Sequence, residues 1–310
     1  MRKGISMHNT RRQTAGQGEI FLDHVGWFLP DLDCSLEIFT ALGFVLTAKS
    51  VHGHQDPATG ERHLVGSANR LAMLSLGYLE HLMPVEGTDT PVSRHMRRAL
   101  DVRQGVHLVA FNVADAEAEA KAVTARGIGV MPTTHLRREV STADGGTAEA
   151  AFTVIRAELG CLPEGRLQSV THHTPEHVWQ PRHVAVNGVS GLSEVIWSSP
   201  DPDASAARLS SYTGRPAEPV GDAMVIRLDR GHLTIANPEA VSASTGVFVA
   251  PSDQPCIAAI GFEGDPQRLA ATAAAAGVPT RDHGDALVIP DIAGVALMVR
   301  AGCNEGKGNT

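Results

Sequence analysis

The side chains of this sequence whose types could hold a metal or move a proton are His24, Glu80, His81, His172 and His173, and each lies in a run that reads as a strand. In LDHVGWF, alternation places His24, Gly26 and Phe28 on one face and Asp23, Val25 and Trp27 on the other. Glycine beside the histidine leaves room for a ligand. Glu80 and His81 in YLEHLMP must face opposite ways, as must His172 and His173 in SVTHHTPEHVW. An inward carboxylate would need a cation or a partner. His24, Glu80 and His172 together would make two imidazoles and one carboxylate with open positions, a set suited to Fe(II) and oxygen chemistry. Zn2+, Mn2+ or Ni2+ would accept the same set. Such a dication chelates adjacent substrate oxygens and stabilises a developing oxyanion. The competing reading is structural: His24 hydrogen-bonded on a half-buried strand, Glu80 in water and His81 packed inside.

The elements that would position these residues recur. An apolar strand, an acidic residue, a helix of about a dozen residues, a glycine and further strands appear in four copies, beginning at FLDHVGWF, VHLVAFNV, SEVIWSS and CIAAIGFEG. Asp31 to Gly43, Asp115 to Gly127 and Asp265 to Gly277 share one spacing. The aspartate suits a helix start and the glycine a left-handed helix end. After the helices come the strands FVLTAKS, RLAMLSL and YLEHLM in the first copy, with a hairpin turn at Gly77; Arg230-Gly231 makes the same turn in the third. Each unit is therefore βαβββ. The expected fold is α+β, with four βαβββ modules paired into two curved mixed sheets carrying outer helices. The expected division is a disordered tail at 1–17, a first pair at 18–180 with the cleft, a second pair at 189–302, and a tail at 303–310.

These units resemble the vicinal-oxygen-chelate superfamily, which includes glyoxalase I, extradiol dioxygenases and bleomycin-resistance proteins. LDHVGWFLPDLD, GSANRLAMLSLGYLEHL, and THHTPEHVW followed by the VNG of residues 186 to 188 resemble its glyoxalase-like proteins most closely. The resemblance implies a metal in the cleft of a module pair, held from the first and last strands of each module, and it matches His24 and Glu80 to such positions. In the second copy the pattern breaks: the counterpart of His24 is Leu108, with His107 one residue off. Aligning Pro175 with Pro84 sets Thr171 opposite Glu80, and His172 is preferred over His173 as the neighbouring ligand. The third and fourth copies offer Glu194, Ala258 and Thr234 at these places, so the second pair reads as a structural partner or a homodimer surface.

Around this set, Tyr78 shares the Glu80 face as a hydrogen-bond donor or acid, and Asn69, Arg70 and His173 could orient a polar substrate. His52, His54 and His63 fall in a loop that could cover the cleft, and residues 94–103 form a basic, solvated helix. A net charge of −8 with 4% aromatics argues against nucleic acid, and no apolar run is long enough to span a membrane. Cys34, Cys161, Cys256 and Cys303 are widely spaced and read as reduced thiols. The expectation is a cytoplasmic metalloenzyme acting on a small oxygen-rich molecule. Fe(II)-dependent dioxygenation is the first reading, a redox-neutral isomerase, lyase or hydrolase the second, and a non-enzymatic ligand-binding protein the third.

Overall fold

The computed structural model describes residues 12–55, 59–142 and 145–302. The first half contains β1 (Ile20–Phe28), α1 (Asp33–Ala41), β2 (Ser50–Gln55), β3 (Arg62–Met73), β4 (Tyr78–Pro84), α2 (Pro91–Val102), β5 (Gly105–Val113), α3 (Ala116–Ala125), β6 (Thr134–Ser141), β7 (Thr147–Arg156), β8 (Arg166–His172) and α4 (Pro175–Val178). The second contains β9 (Val189–Ser198), α5 (Pro202–Thr213), β10 (Ala217–Val220), β11 (Ala223–Arg227), β12 (His232–Ala236), α6 (Pro238–Thr245), β13 (Cys256–Gly264), α7 (Pro266–Ala275), β14 (Arg281–His283), β15 (Ala286–Ile292) and β16 (Val295–Ala301).

Each half is one mixed sheet, ordered β2-β3-β4-β1-β5-β8-β7-β6 and β10-β11-β12-β9-β13-β16-β15-β14. The first strands of the two modules pair antiparallel at the centre, and each module's last strand runs parallel to its first. This is the paired βαβββ arrangement that the repeats imply. The helix starts follow local chemistry: Asp115 accepts from the N–H groups of Glu117 and Ala118, Asp201 from Ala204 and Asp265 from Arg268. Asp31 instead binds the N–H of Asp33, and Leu32 occupies the cap of α1 without a side-chain bond.

The apolar core lies between the two sheets, where Phe39 of α1, Val123 of α3, Leu209 of α5 and Leu269 of α7 meet Trp27, Phe111, Trp197 and Ile260. The opposite faces of the sheets form the two clefts. Contacts between the halves are reciprocal. The Trp27 indole N–H donates to the Ala293 carbonyl (3.0 Å) and that of Trp197 to the Glu164 carbonyl (2.9 Å). Leu22 N–H donates to the Arg230 carbonyl (2.8 Å) and Leu192 N–H to the Leu76 carbonyl (3.0 Å), so each half's hairpin turn docks on the other's first strand.

Several expectations are corrected. Of FVLTAKS, only Ser50 enters a strand, the start of β2; the rest forms an isolated bridge, Leu46 to Ala72, because Phe44 and Leu46 turn into the core, and the partner that the long β3 requires is β2. The segment around His52, His54 and His63 is therefore a strand pair rather than a loop; the side chain of His54 lies outside the described residues. Within residues 12–17, Ala15 is buried and its N–H donates to Asn112 Oδ1 (2.8 Å). The helix at 94–103 exists as α2, but one face is not solvated, since Met96 packs under Phe28, Leu82 and Leu108. Cys161 and Cys256 are free thiols. The tails at 1–11 and 303–310, with Cys303 and the side chain of Cys34, lie outside the described residues. Among the described residues no helix is long and apolar enough to cross a membrane.

Candidate functional site

The site begins with an irregularity in β1. Leu22 pairs with Phe111 and His24 with Ala110, so Asp23 has no partner on β5. An unpaired extra residue bends a strand and breaks its alternation. Asp23 and His24 consequently lie side by side instead of on opposite faces, with Asp23 Oδ2 2.7 Å from His24 Nδ1. Asp23 is fully buried; Oδ2 also meets His172 Nε2 (3.2 Å), and Oδ1 accepts from Asn112 Nδ2 (3.2 Å). Burial alone would raise the Asp23 carboxyl, but the His172 and His24 rings more than offset this and hold it far below the usual carboxylate range.

With Nδ1–H donated to Asp23, His24 presents the lone pair of Nε2 to the cleft. That atom lies 3.0 Å from Gln168 Nε2 and 3.7 Å from Glu80 Oε2. Glu80 shares this face because β4 is regular: Gly26, two residues beyond His24, pairs with Glu80. Its Oε1 accepts from Asn69 Nδ2 (2.7 Å), while Asn69 Oδ1 is buried without a partner. Burial would raise Glu80 too, yet His24, His52, the Asn69 amide and Arg166 bring it below its ordinary value, so it is a carboxylate at neutral pH. Tyr78 stacks on His24 at 4.2 Å between ring centroids. Burial, then the charges of Asp23 and Glu80, raise its hydroxyl well above the ordinary phenol value, which makes it a donor and a poor acid.

The remaining predicted residues go elsewhere. His81 faces the core against Phe39 and is pushed down to about 3 by burial. His172 turns to Asp23 and packs on Trp179, behind His24 rather than beside its Nε2. His173 is exposed and bonds Thr153 Oγ1 (2.8 Å). Arg70 is on the far face of β3, bound to the Thr47 carbonyl (3.1 Å). His107, the extra residue of the matching bulge in β5, stacks on Phe28.

Register also corrects one counterpart. Leu108 pairs with Arg166 and Ala110 with Gln168, as His24 pairs with Tyr78 and Gly26 with Glu80. The residue of β8 equivalent to Glu80 is thus Gln168. Thr171, expected there, accepts from Ala116 N–H at the start of α3.

Sequence reasoning missed Asp23, Gln168 and three arginines. Arg166 is on β8, Arg156 on β7 directly opposite Gln168, and Arg138 on β6 with its guanidinium over Phe152. Their signal was present: an arginine on the face that alternation assigns to Gln168. His52 joins them, bonded to Ser67 Oγ (2.9 Å); burial lowers it, Glu80 opposes this, and all three arginines reinforce it. Trp179 and Tyr78 close one end of the cleft and α2 the other. A separate recess of about 660 Å³, bordered by Val102, Phe248 and Pro255, contains none of His24, Glu80 or Gln168.

In the second cleft Glu194 takes the place of His24 and is fully engaged by Thr234 Oγ1 (2.6 Å), Arg300 (3.1 Å) and His232 (3.2 Å). The counterpart of Leu108 is Ala259, not Ala258, because a bulge intervenes; that of Gln168 is Met298. Val241, Ala259, Val288 and Met298 fill the space.

A family model described as a glyoxalase-like domain matches residues 22–213. The chain belongs to that family, within the vicinal-oxygen-chelate superfamily. Its fold is similar to a hypothetical protein from Staphylococcus aureus, with TM-score 0.62 and 10% identity over 91% of this chain and 99% of that one. It is also similar to a xylose isomerase-like TIM barrel/4-hydroxyphenylpyruvate dioxygenase fusion protein, with TM-score 0.56 and 12% identity over 96% of this chain and 51% of that one. A mutant of 4-hydroxymandelate synthase from Streptomyces coelicolor has TM-score 0.50 and 15% identity over 91% of each chain. No curated protein matches the sequence.

Among the described residues, no group of three His, Cys, Asp or Glu side chains is arranged to hold a metal. His24 Nε2 and Glu80 Oε2 are nevertheless spaced as two ligands of one ion bound at about 2.0–2.2 Å would be. The Gln168 amide, turned so that its oxygen faces His24, supplies a third donor. The residues thus fit a dication held by one imidazole, one carboxylate and one amide oxygen.

Proposed function

We propose that the chain is an enzyme that binds a small oxygen-rich molecule in the first cleft and moves a proton within it without net oxidation. The observation that carries this reading is the convergence of His24 Nε2 and Glu80 Oε2, with His24 held from behind by buried Asp23. His24, Glu80 and Gln168 would hold a divalent metal, which when bound polarises a carbonyl and stabilises the oxyanion that develops on it. Asn69 holds Oε1 of Glu80, and Oε2, once substrate oxygens replace it on the dication, would take up a proton from a carbon beside the carbonyl and return it to the substrate. Tyr78 covers one face of the His24 ring and keeps water from it. A set with one histidine favours Mn2+ or Zn2+ over Fe(II).

Oxygenation by Fe(II) is the second reading, supported by the dioxygenase named in one fold relative. It would need a second imidazole, which His172 supplies only by leaving Asp23. Elemental analysis of untagged protein tests the site. Wild type and Glu194→Ala should carry near-stoichiometric dication and Glu80→Ala should not; a wild type that binds none after reconstitution overturns the proposal. Turnover that persists under argon supports proton transfer, and turnover that stops there supports oxygenation.

A further inference from the structure

The cleft holds more positive charge than it can neutralise by itself. Arg138, Arg156 and Arg166 stand on adjacent strands of the face that carries Gln168, and Nε of each is sealed from solvent without an acceptor. Arg156 has one bond, to Thr134 Oγ1 (3.1 Å), and Arg166 has neither a hydrogen bond nor an ion pair among the described residues. Among the carboxylates lining the cleft, Asp23 is taken up by His24 and His172, which leaves Glu80 alone to face them.

Half-buried guanidinium groups whose Nε is sealed without an acceptor are costly, and their fork of donors fits the oxygens of a carboxylate or phosphate. We propose that Arg156 and Arg166, with Arg138 at the rim, form a subsite for an oxyanion on the substrate, a carboxylate or a phosphate, whose remaining oxygens then face His24 and Glu80. This rests on the catalytic reading of the same cleft and names the class of molecule it takes: an anion with a carbonyl or hydroxyl a few bonds from the charged group.

The test is thermal unfolding and calorimetry of chelator-treated, full-length protein with malonate or inorganic phosphate, against potassium chloride at matched ionic strength. Saturable stabilisation by one of these, beyond that of chloride, is expected, and the tighter probe identifies the oxyanion. Arg166→Met should weaken that binding at least tenfold, with a ligand-free melting temperature equal to or above wild type, since an unpaired charge is removed. Arg166→Lys should retain part of the affinity, and Arg227→Met, at an exposed position of the other half, all of it. Stabilisation no greater than that of chloride, or full affinity in Arg166→Met and Arg166→Lys, overturns the proposal. Because no metal is present, a negative result leaves the dication site standing, and a failed dication site leaves this result unaffected.

Discussion

The two clefts are built on one backbone plan and end in opposite states. In the first, Glu80, Asn69 and three arginines leave a carboxylate oxygen, an amide oxygen and three Nε–H groups without a hydrogen bond, and His24 Nε2 meets only the Gln168 amide. In the second, the single comparable charge, Glu194, is closed off by Thr234, His232 and Arg300, which hold it at about 2 against the opposing effect of burial. Small apolar side chains do the rest. Among the described residues, the first cleft leaves buried polar atoms unsatisfied and the second does not, and those atoms are the ones the proposed ligands would meet.

The comparison can be broken most severely at the bulges. Asp23→Ala strips two buried rings of their shared carboxylate and should cost about 3 kcal/mol in urea unfolding, whereas Ser193→Ala at the matching bulge should change stability by less than ~0.5 kcal/mol. Equal effects would mean that Asp23 is only a packing residue.

Acid should expose a second asymmetry. His81 sits at about 3 because it is buried, and its counterpart against Trp197 is Ile235. Below 6.5 the unfolded chain takes up a proton that folded His81 refuses. Stability therefore falls as pH drops from 6.5 toward 3, by about 1.4 kcal/mol per unit for this group. His95 and His107, held near 4 by burial, add to the same slope. His81→Ile should recover about 2.5 kcal/mol of the loss between pH 7 and pH 4.5. An unchanged pH profile of the melting temperature would place the acid sensitivity elsewhere.

The finest test is at the hairpin turns. Gly77 and Gly231 have φ of 81° and 83°, and an added Cβ would stand 2.6 Å from the Asp23 carbonyl or 2.8 Å from Leu22 Cβ. Alanine at either should cost about 2 kcal/mol. Gly77→Ala presses on the Asp23 carbonyl inside the bulge that orients His24, and Gly231→Ala on the Leu22 side chain beside it, so dication binding in calorimetry should weaken more in Gly77→Ala.

Much of this was legible in the sequence because its causes are local. Capping aspartates, turn glycines and alternation on the regular strand β4 depend on neighbours within a few residues, and they locate the modules and the face of Glu80. Asp23 was misplaced because a bulge is a property of two paired strands, invisible in one. Aligning Pro84 with Pro175 sets Thr171 opposite Glu80, narrows the choice to His172 or His173 and passes over Gln168, because Pro84 ends β4 whereas Pro175 begins α4. The arginines escaped notice because their meaning depends on three strands meeting, not on spacing within any one of them.

The reciprocal bonds of Trp27 and Trp197 have a further consequence. A contact in which each side offers the same residue to the same site on the other is the arrangement of a symmetric dimer, here made within one chain. Dilution cannot dissociate it. Two identical subunits would have had to keep or lose their clefts together; joined in one polypeptide, each can vary its own lining while the seam between them stays intact.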